Sequence, residues 1–157
     1  MTDSEFLAQA IALARRNAEK GGRPFGAVVV RNGEIVGEGV NQMLELHDPT
    51  AHAELLALRH AGNNLRQTRL EDCVVYASGQ PCPMCLAAMR MAGVTRAVYA
   101  YSNADAEPYG LSTASIALAL RADPHEQTAS LLHSKNRKVS HHCMISGSKN
   151  RTDYSCH

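Results

Sequence analysis

The chain lacks any apolar run approaching the roughly 18 residues of a membrane-spanning helix. Its first ten residues, MTDSEFLAQA, also lack the basic and then apolar pattern of a secretion signal. A cytoplasmic protein without membrane contact is expected. There is no strong excess of either charge: 16 Lys and Arg stand against 15 Asp and Glu. Proteins that rely on phosphate contacts present a broad basic surface, so a small molecule is expected as partner rather than a nucleic acid. The basic residues Lys135, Arg137, Lys138, Lys149 and Arg151 face only Asp153 in the last stretch, which reads as a solvated face. No internal repeat is visible. Five cysteines, an odd number in a chain without an export signal, fit reduced thiols or metal ligands better than a disulfide scaffold. What is present is 157 residues with 45% hydrophobic composition, enough for one globular domain around one continuous core.

TDSE at the N-terminus has the form of a capping box, and Phe6, Leu7, Ala10, Ile11 and Ala14 follow at helical spacing up to Gly21 and Gly22. In FGAVVVRNGEIVGEGV, Asn32 and Gly33 lie between two β-branched runs, the signal for a two-residue hairpin. A second helix is expected from a Thr50 cap to Gly62. CVVYAS reads as a buried strand, CPMCLAAMRMAG as a helix with Pro83 in its first turn, and TRAVYAY as a strand parallel to the first of these. SIALALRA looks like a further helix, after a loop containing EPYGLS. Residues 1–122 are expected to form the core, and residues 123–157 a polar tail, either a weak strand at KVSHHCMIS or partly disordered. Strands alternating with helices give a three-layer α/β domain.

SGQPCPMC places Cys82 and Cys85 three apart at a helix start, on one face, where both sulfurs can reach one ion. His52 and Glu54 stand at the start of another helix. An isolated HxE is more often a cap and a solvated charge, and an isolated CPxC is a helix start with buried thiols about half the time. Together they form the signature of zinc deaminases. His52, Cys82 and Cys85 supply three zinc ligands and leave the fourth position to water. Helix N-termini favour the thiolates. Glu54 is not placed by helical spacing alone, since positions two apart point to different sides; a cavity straddling the open helix end would let it move protons to the ring nitrogen and then to the leaving amine. Cys73, inside an apolar strand, reads as a buried free thiol. His141, His142 and Cys143 with Cys156 and His157 match no strong zinc spacing.

PFGAVVV (Pro24 to Val30), DPTAHAE (Asp48 to Glu54), EDC (Glu71 to Cys73) and PCPMC (Pro81 to Cys85) together resemble the cytidine deaminase superfamily, over roughly residues 5 to 120. Within it, the words are similar to bacterial guanine deaminases more than to tRNA adenosine deaminases, which typically show PCAMC. The resemblance implies an α/β/α fold with a mixed five-stranded sheet and one zinc per chain on His52, Cys82 and Cys85. It also implies Glu54 as proton shuttle, base contacts from Asn41 and Phe25, and a homodimer. The backbone N–H of Ala53 and of Cys82, at helix starts, and Tyr109 in the distal loop are further candidate substrate contacts.

Three features depart from the pattern. Gln80 stands where relatives usually carry an acid before the PC pair. YGLS (Tyr109 to Ser112) stands where guanine deaminases often show an acidic pair. No aromatic-bearing terminal helix is evident. The expected reaction is hydrolytic removal of an exocyclic amine from a free purine base, guanine to xanthine with release of ammonia. The alternatives are another amino-heterocycle (pterin, cytosine, a nucleoside), adenosine in tRNA, or a structural zinc module. The last would need a fourth protein ligand and no use for Glu54.

Overall fold

The computed structural model describes residues 1–124, 126 and 127. By its contacts the chain divides into Met1–Leu118 and Ala119–His157, and the sheet and the site lie in the first unit. Helix α1, Asp3–Glu19, starts on the expected capping box: the Thr2 hydroxyl accepts from Glu5 N, and the Glu5 carboxylate accepts from Thr2 N. Its buried face is Phe6, Ala10 and Ala14.

Strands β1, Gly26–Arg31, and β2, Glu34–Val40, form the expected hairpin. Asn32 at φ 50 and Gly33 at φ 78 supply the two left-handed residues that a tight turn of this twist requires. After a short helix α2, Met43–Leu46, come α3, Ala53–Leu65, strand β3, Cys73–Gly79, helix α4, Pro83–Met91, and strand β4, Arg96–Tyr101. The chain then enters α5, Asn103–Ala106, a 3-10 turn at Glu107–Tyr109, and α6, Ala114–Ala119.

The sheet order is β2-β1-β3-β4, with β1 antiparallel to both neighbours and β3 parallel to β4 across the α4 connection. Among the described residues the sheet has four strands in place of the five expected. Directly after β4, Ser102 and Asp105 form a capping box that turns the backbone into α5 instead of extending the ladder. The weak strand expected at KVSHHCMIS lies outside the described residues.

Helices cover both faces of the sheet. On one, Phe6 of α1 packs with Val28, Val30 and Tyr76; on the other, Ala57, Leu58, Cys85 and Met89 of α3 and α4 pack with Val29 and Val75. Strand β1 is thus buried on both sides, whereas β4 is largely exposed. The polar head of Tyr76 donates to Asp3 Oδ1 at 2.6 Å, and Arg96 holds the same carboxylate, so α1 is fastened to β3 and β4.

Close approach of α3 to β2 needs glycine. A methyl at Gly39 would overlap the Ala53 carbonyl oxygen and fall 2.6 Å from Ala57 N. The helix backbone therefore lies directly on the strand at its first turn, the turn that follows His52.

Two boundaries differ from expectation. Thr50 does not cap α3, because its N–H and hydroxyl both bond Asp48 Oδ1, at 2.8 and 2.7 Å; the helix begins three residues later with His52 as cap. It also runs past Gly62 to Leu65, and Arg66 at φ 53 closes it.

Candidate active site

His52 and Cys82 occupy equivalent places. Each is the cap residue of its helix, α3 or α4, each is extended (φ -72 ψ 151 and φ -71 ψ 167), and neither side chain caps the helix. Side chains held at an open helix end, with no local bond to satisfy, are available to a shared ligand. Pro83 at the first helical position of α4 has no N–H to leave unpaired, and one turn on, Cys85 is fully buried.

These residues meet. Cys82 Sγ lies 3.4 Å from His52 Nδ1, Cys85 Sγ 3.6 Å from the same nitrogen, and the two sulfurs are 3.5 Å apart. That separation is far beyond the roughly 2.05 Å of a disulfide. The potential ligand atoms of the three residues all lie within 4.8 Å of one another. One imidazole and two thiols are a donor set that suits zinc, and three of them leave a coordination position open. Among the described residues, these three make up the whole candidate metal group.

Glu54, only 6% exposed, is beside them, with its Oε2 accepting from Cys85 Sγ at 3.4 Å. Burial pushes its carboxyl above the usual range. The thiol pair ionises unequally: the contact with Cys85, aided by His52, holds Cys82 down to about 4. Cys85 is pushed up by that Cys82 contact and by burial. The hydrogen bond with Cys82 raises His52 in turn.

Above this floor is a cavity of about 300 Å³, at the small end of ligand pockets. Phe25, Asn41 and Tyr109 line it with His52, Glu54 and Cys82. Asn41 is buried and firmly held: its N–H donates to Phe25 O, its carbonyl accepts from Asn17 Nδ2, and its side-chain oxygen accepts from Met43 N. The Phe25 ring lies against Gly79, where an added Cβ would be 3.0 Å from Cε1. Ala53 is fully buried as the first residue of α3. Tyr109 is 79% exposed, at the rim. The structure thus brings Phe25, Asn41, Tyr109, His52, Glu54 and Cys82 to one cavity, with Cys85 at its metal group. Cys73 is not in that group, and His141 to Cys143, Cys156 and His157 lie outside the described residues.

Sequence reading missed Arg23, Ser78, Asn103 and Thr113, which also line the cavity, and saw Gln80 only as a departure. The Ser78 hydroxyl accepts from Gly26 N at 3.0 Å and fastens β3 to β1. Gln80, Asn103 and Thr113 carry no local signal, since they come together only through the parallel pairing of β3 and β4.

A buried carboxylate beside an imidazole and two sulfurs, opening on a small cavity, can support water addition and amine departure at a heterocycle. That chemistry belongs to the zinc-dependent hydrolytic deaminases. The chain belongs to the cytidine and deoxycytidylate deaminase family, whose zinc-binding region matches residues 1–101. It is 40% identical over 129 residues to guanine deaminase of Bacillus subtilis (strain 168), spanning 82% of this chain and 83% of the relative. The X-ray structure of guanine deaminase from Bacillus subtilis is similar with a TM-score of 0.81 at 34% identity, covering 99% of this chain and 98% of that one. A tRNA-specific adenosine deaminase of Aquifex aeolicus (strain VF5) is 40% identical over 94 residues, 60% of this chain and 62% of the relative. The crystal structure of NE0047 in complex with 2,6-diaminopurine gives a TM-score of 0.68 at 29% identity, covering 71% of this chain and 63% of that one. Zinc is the cofactor, and the His52, Cys82 and Cys85 group could bind one ion. No helix among the described residues is long and apolar enough to cross a membrane.

Proposed function

We propose that this deaminase converts guanine to xanthine with release of ammonia, using His52, Cys82 and Cys85 to hold zinc and Glu54 to move protons. The observation that carries this reading is the likeness to Bacillus subtilis guanine deaminase over 82% of the chain. When bound, the ion supplies the Lewis acidity that activates water for attack.

The chain's own residues do the rest. Glu54, enclosed beside the metal group, takes a proton from the incoming water and delivers it to the ring nitrogen, then takes the proton of the newly added hydroxyl and delivers it to the amine, which leaves as ammonia as the carbonyl forms, so one carboxylate serves as base and acid. Asn41 has its Oδ1 fixed by the Met43 N–H. Its Nδ2 hydrogens are left to donate to the base. Phe25 presents a flat apolar wall backed by Gly79. The Ala53 N–H, at a helix start without an intrahelical acceptor, is a donor for substrate. Tyr109 closes over the rim. The same reading makes the enzyme a cytoplasmic homodimer.

The test is ammonia release by zinc-loaded protein on guanine, adenine, cytosine, pterin and a tRNA anticodon stem-loop, with chain mass in solution by sedimentation. Xanthine from guanine, in preference to the others, is the expected result. No ammonia from guanine, or turnover confined to the RNA, would overturn the purine reading.

A further inference from the structure

Three amide side chains line the cavity, and in each the oxygen is already engaged by a main-chain donor. Met43 N–H bonds Asn41 Oδ1 at 3.1 Å, Asn103 N–H bonds Gln80 Oε1 at 2.9 Å, and Thr113 N–H bonds Asn103 Oδ1 at 3.2 Å. A backbone N–H can only donate, so these bonds dictate which way each amide faces. The oxygen turns to the backbone and the N–H₂ group is left over.

Gln80 and Asn103 form a unit of their own, separate from Asn41. The Gln80 N–H donates to Tyr101 O at 2.7 Å, which continues the β3–β4 pairing by one residue and sets Gln80 beside the start of α5. Its side chain then receives Asn103, and Asn103 receives both the backbone and, at 3.4 Å, the hydroxyl of Thr113. Among the described residues, neither Gln80 Nε2 nor Asn103 Nδ2 has an acceptor. Among the described residues no buried side-chain nitrogen lacks a partner, so these two nitrogens are accessible to solvent, on side chains that line the cavity.

The charged side chains at the rim are one acid and one base. Asp105 has Oδ2 engaged by the N–H and hydroxyl of Ser102, at 2.8 and 2.9 Å, and Oδ1 left as an acceptor. Arg23, the other charged residue of the rim, adds only donors.

We propose that Gln80 and Asn103 are specificity-determining residues whose amide N–H groups read hydrogen-bond acceptors on the part of the substrate ring away from the reacting carbon. This rests on the purine reading above. In guanine the reacting carbon is C2, and N1, N3 and the amine are its neighbours at the floor. The acceptors left over are O6 and N7, adjacent to each other, as a pair of amide donors joined in series requires.

Two substitutions isolate the claim. Gln80→Glu keeps an oxygen for the Asn103 N–H and replaces only the cavity-facing N–H₂ by an oxygen; Asn103→Asp does the same toward Thr113. Affinities of zinc-loaded protein for guanine and 7-deazaguanine, which has C–H in place of N7, are measured by calorimetry, together with kcat and KM for ammonia release. The wild type is expected to favour guanine by about five- to tenfold, the worth of one hydrogen bond. One or both variants bring that ratio to near unity, with KM rising more than kcat falls. Taking a ratio cancels the general effect of the added charge.

Affinities within twofold in the wild type, binding of neither purine, or an unchanged ratio in both variants would overturn the proposal. The wild-type ratio needs no variant and decides the matter if a substitution unfolds the chain. Ammonia from guanine without discrimination defeats this inference alone. Discrimination without ammonia defeats the guanine reading alone.

Discussion

Glu54 stands two positions beyond His52, yet its Oε2 meets Cys85 Sγ at 3.4 Å, and that sulfur is 3.6 Å from His52 Nδ1. A regular helix would send positions two apart in different directions. Here His52 is still extended, and the helix starts between the two residues, so imidazole and carboxylate reach one space from opposite sides of a helix end.

If the carboxylate moves protons rather than holding metal, Glu54→Ala and Glu54→Gln retain one zinc per chain while kcat falls by roughly 10²–10⁴-fold. Zinc content by mass spectrometry and steady-state ammonia release check this. Unchanged turnover removes the proposed role.

Stripping zinc with a chelator should abolish ammonia release, and one equivalent of zinc should restore it. Cys82→Ser and Cys85→Ser should each carry well under one ion per chain after dialysis, because a hydroxyl is a poor substitute for a thiolate on zinc. Full activity in metal-free protein would contradict zinc dependence.

Gly39→Ala forces a methyl into the Ala53 carbonyl. Overpacking against backbone costs about 1–3 kcal/mol. The loss appears in denaturant unfolding, and zinc affinity falls with it, since the first turn of α3 must shift.

Arg96 and Tyr76 hold the Asp3 carboxyl down to about 2 from 3.8. A depressed carboxyl contributes stability above its unfolded value and loses that contribution as pH falls through the folded one. The Tm difference between wild type and Asp3→Asn should therefore be complete above about pH 5, shrink as pH falls through about 2, and be gone near pH 1. A difference that does not shrink between about pH 5 and pH 1 would assign it to something other than the ion pair.

Cys73 is 2% exposed, and burial with Asp72 beside it pushes its thiol up to about 11. It should resist iodoacetamide at pH 8 in the native protein and react on unfolding. Peptide mapping after alkylation distinguishes it from the other cysteines.

The elements of the fold that could be read from the sequence are those with local causes. The Thr2 and Glu5 capping box, the Asn32-Gly33 turn and Pro83 at the head of α4 each act within four residues. Thr50 misled because Asp48, also local, competed for it and won. The His52, Cys82 and Cys85 group was legible by chemistry, since few residue types make a zinc site. The Gln80, Asn103 and Thr113 wall was not, because ordinary amides and a hydroxyl acquire meaning only from the bonds that orient them. Directly after β4 the chain leaves the sheet at Ser102 through another short cap, which is again local.

The contact between α3 and Gly39 is main chain against main chain, with no side chain interposed. Substitution elsewhere has little leverage on it. The Gln80 and Asn103 side of the cavity is built from interchangeable side-chain amides, each of which a single codon can alter. Selection can therefore retarget such an enzyme to a new heterocycle while leaving its reaction machinery intact.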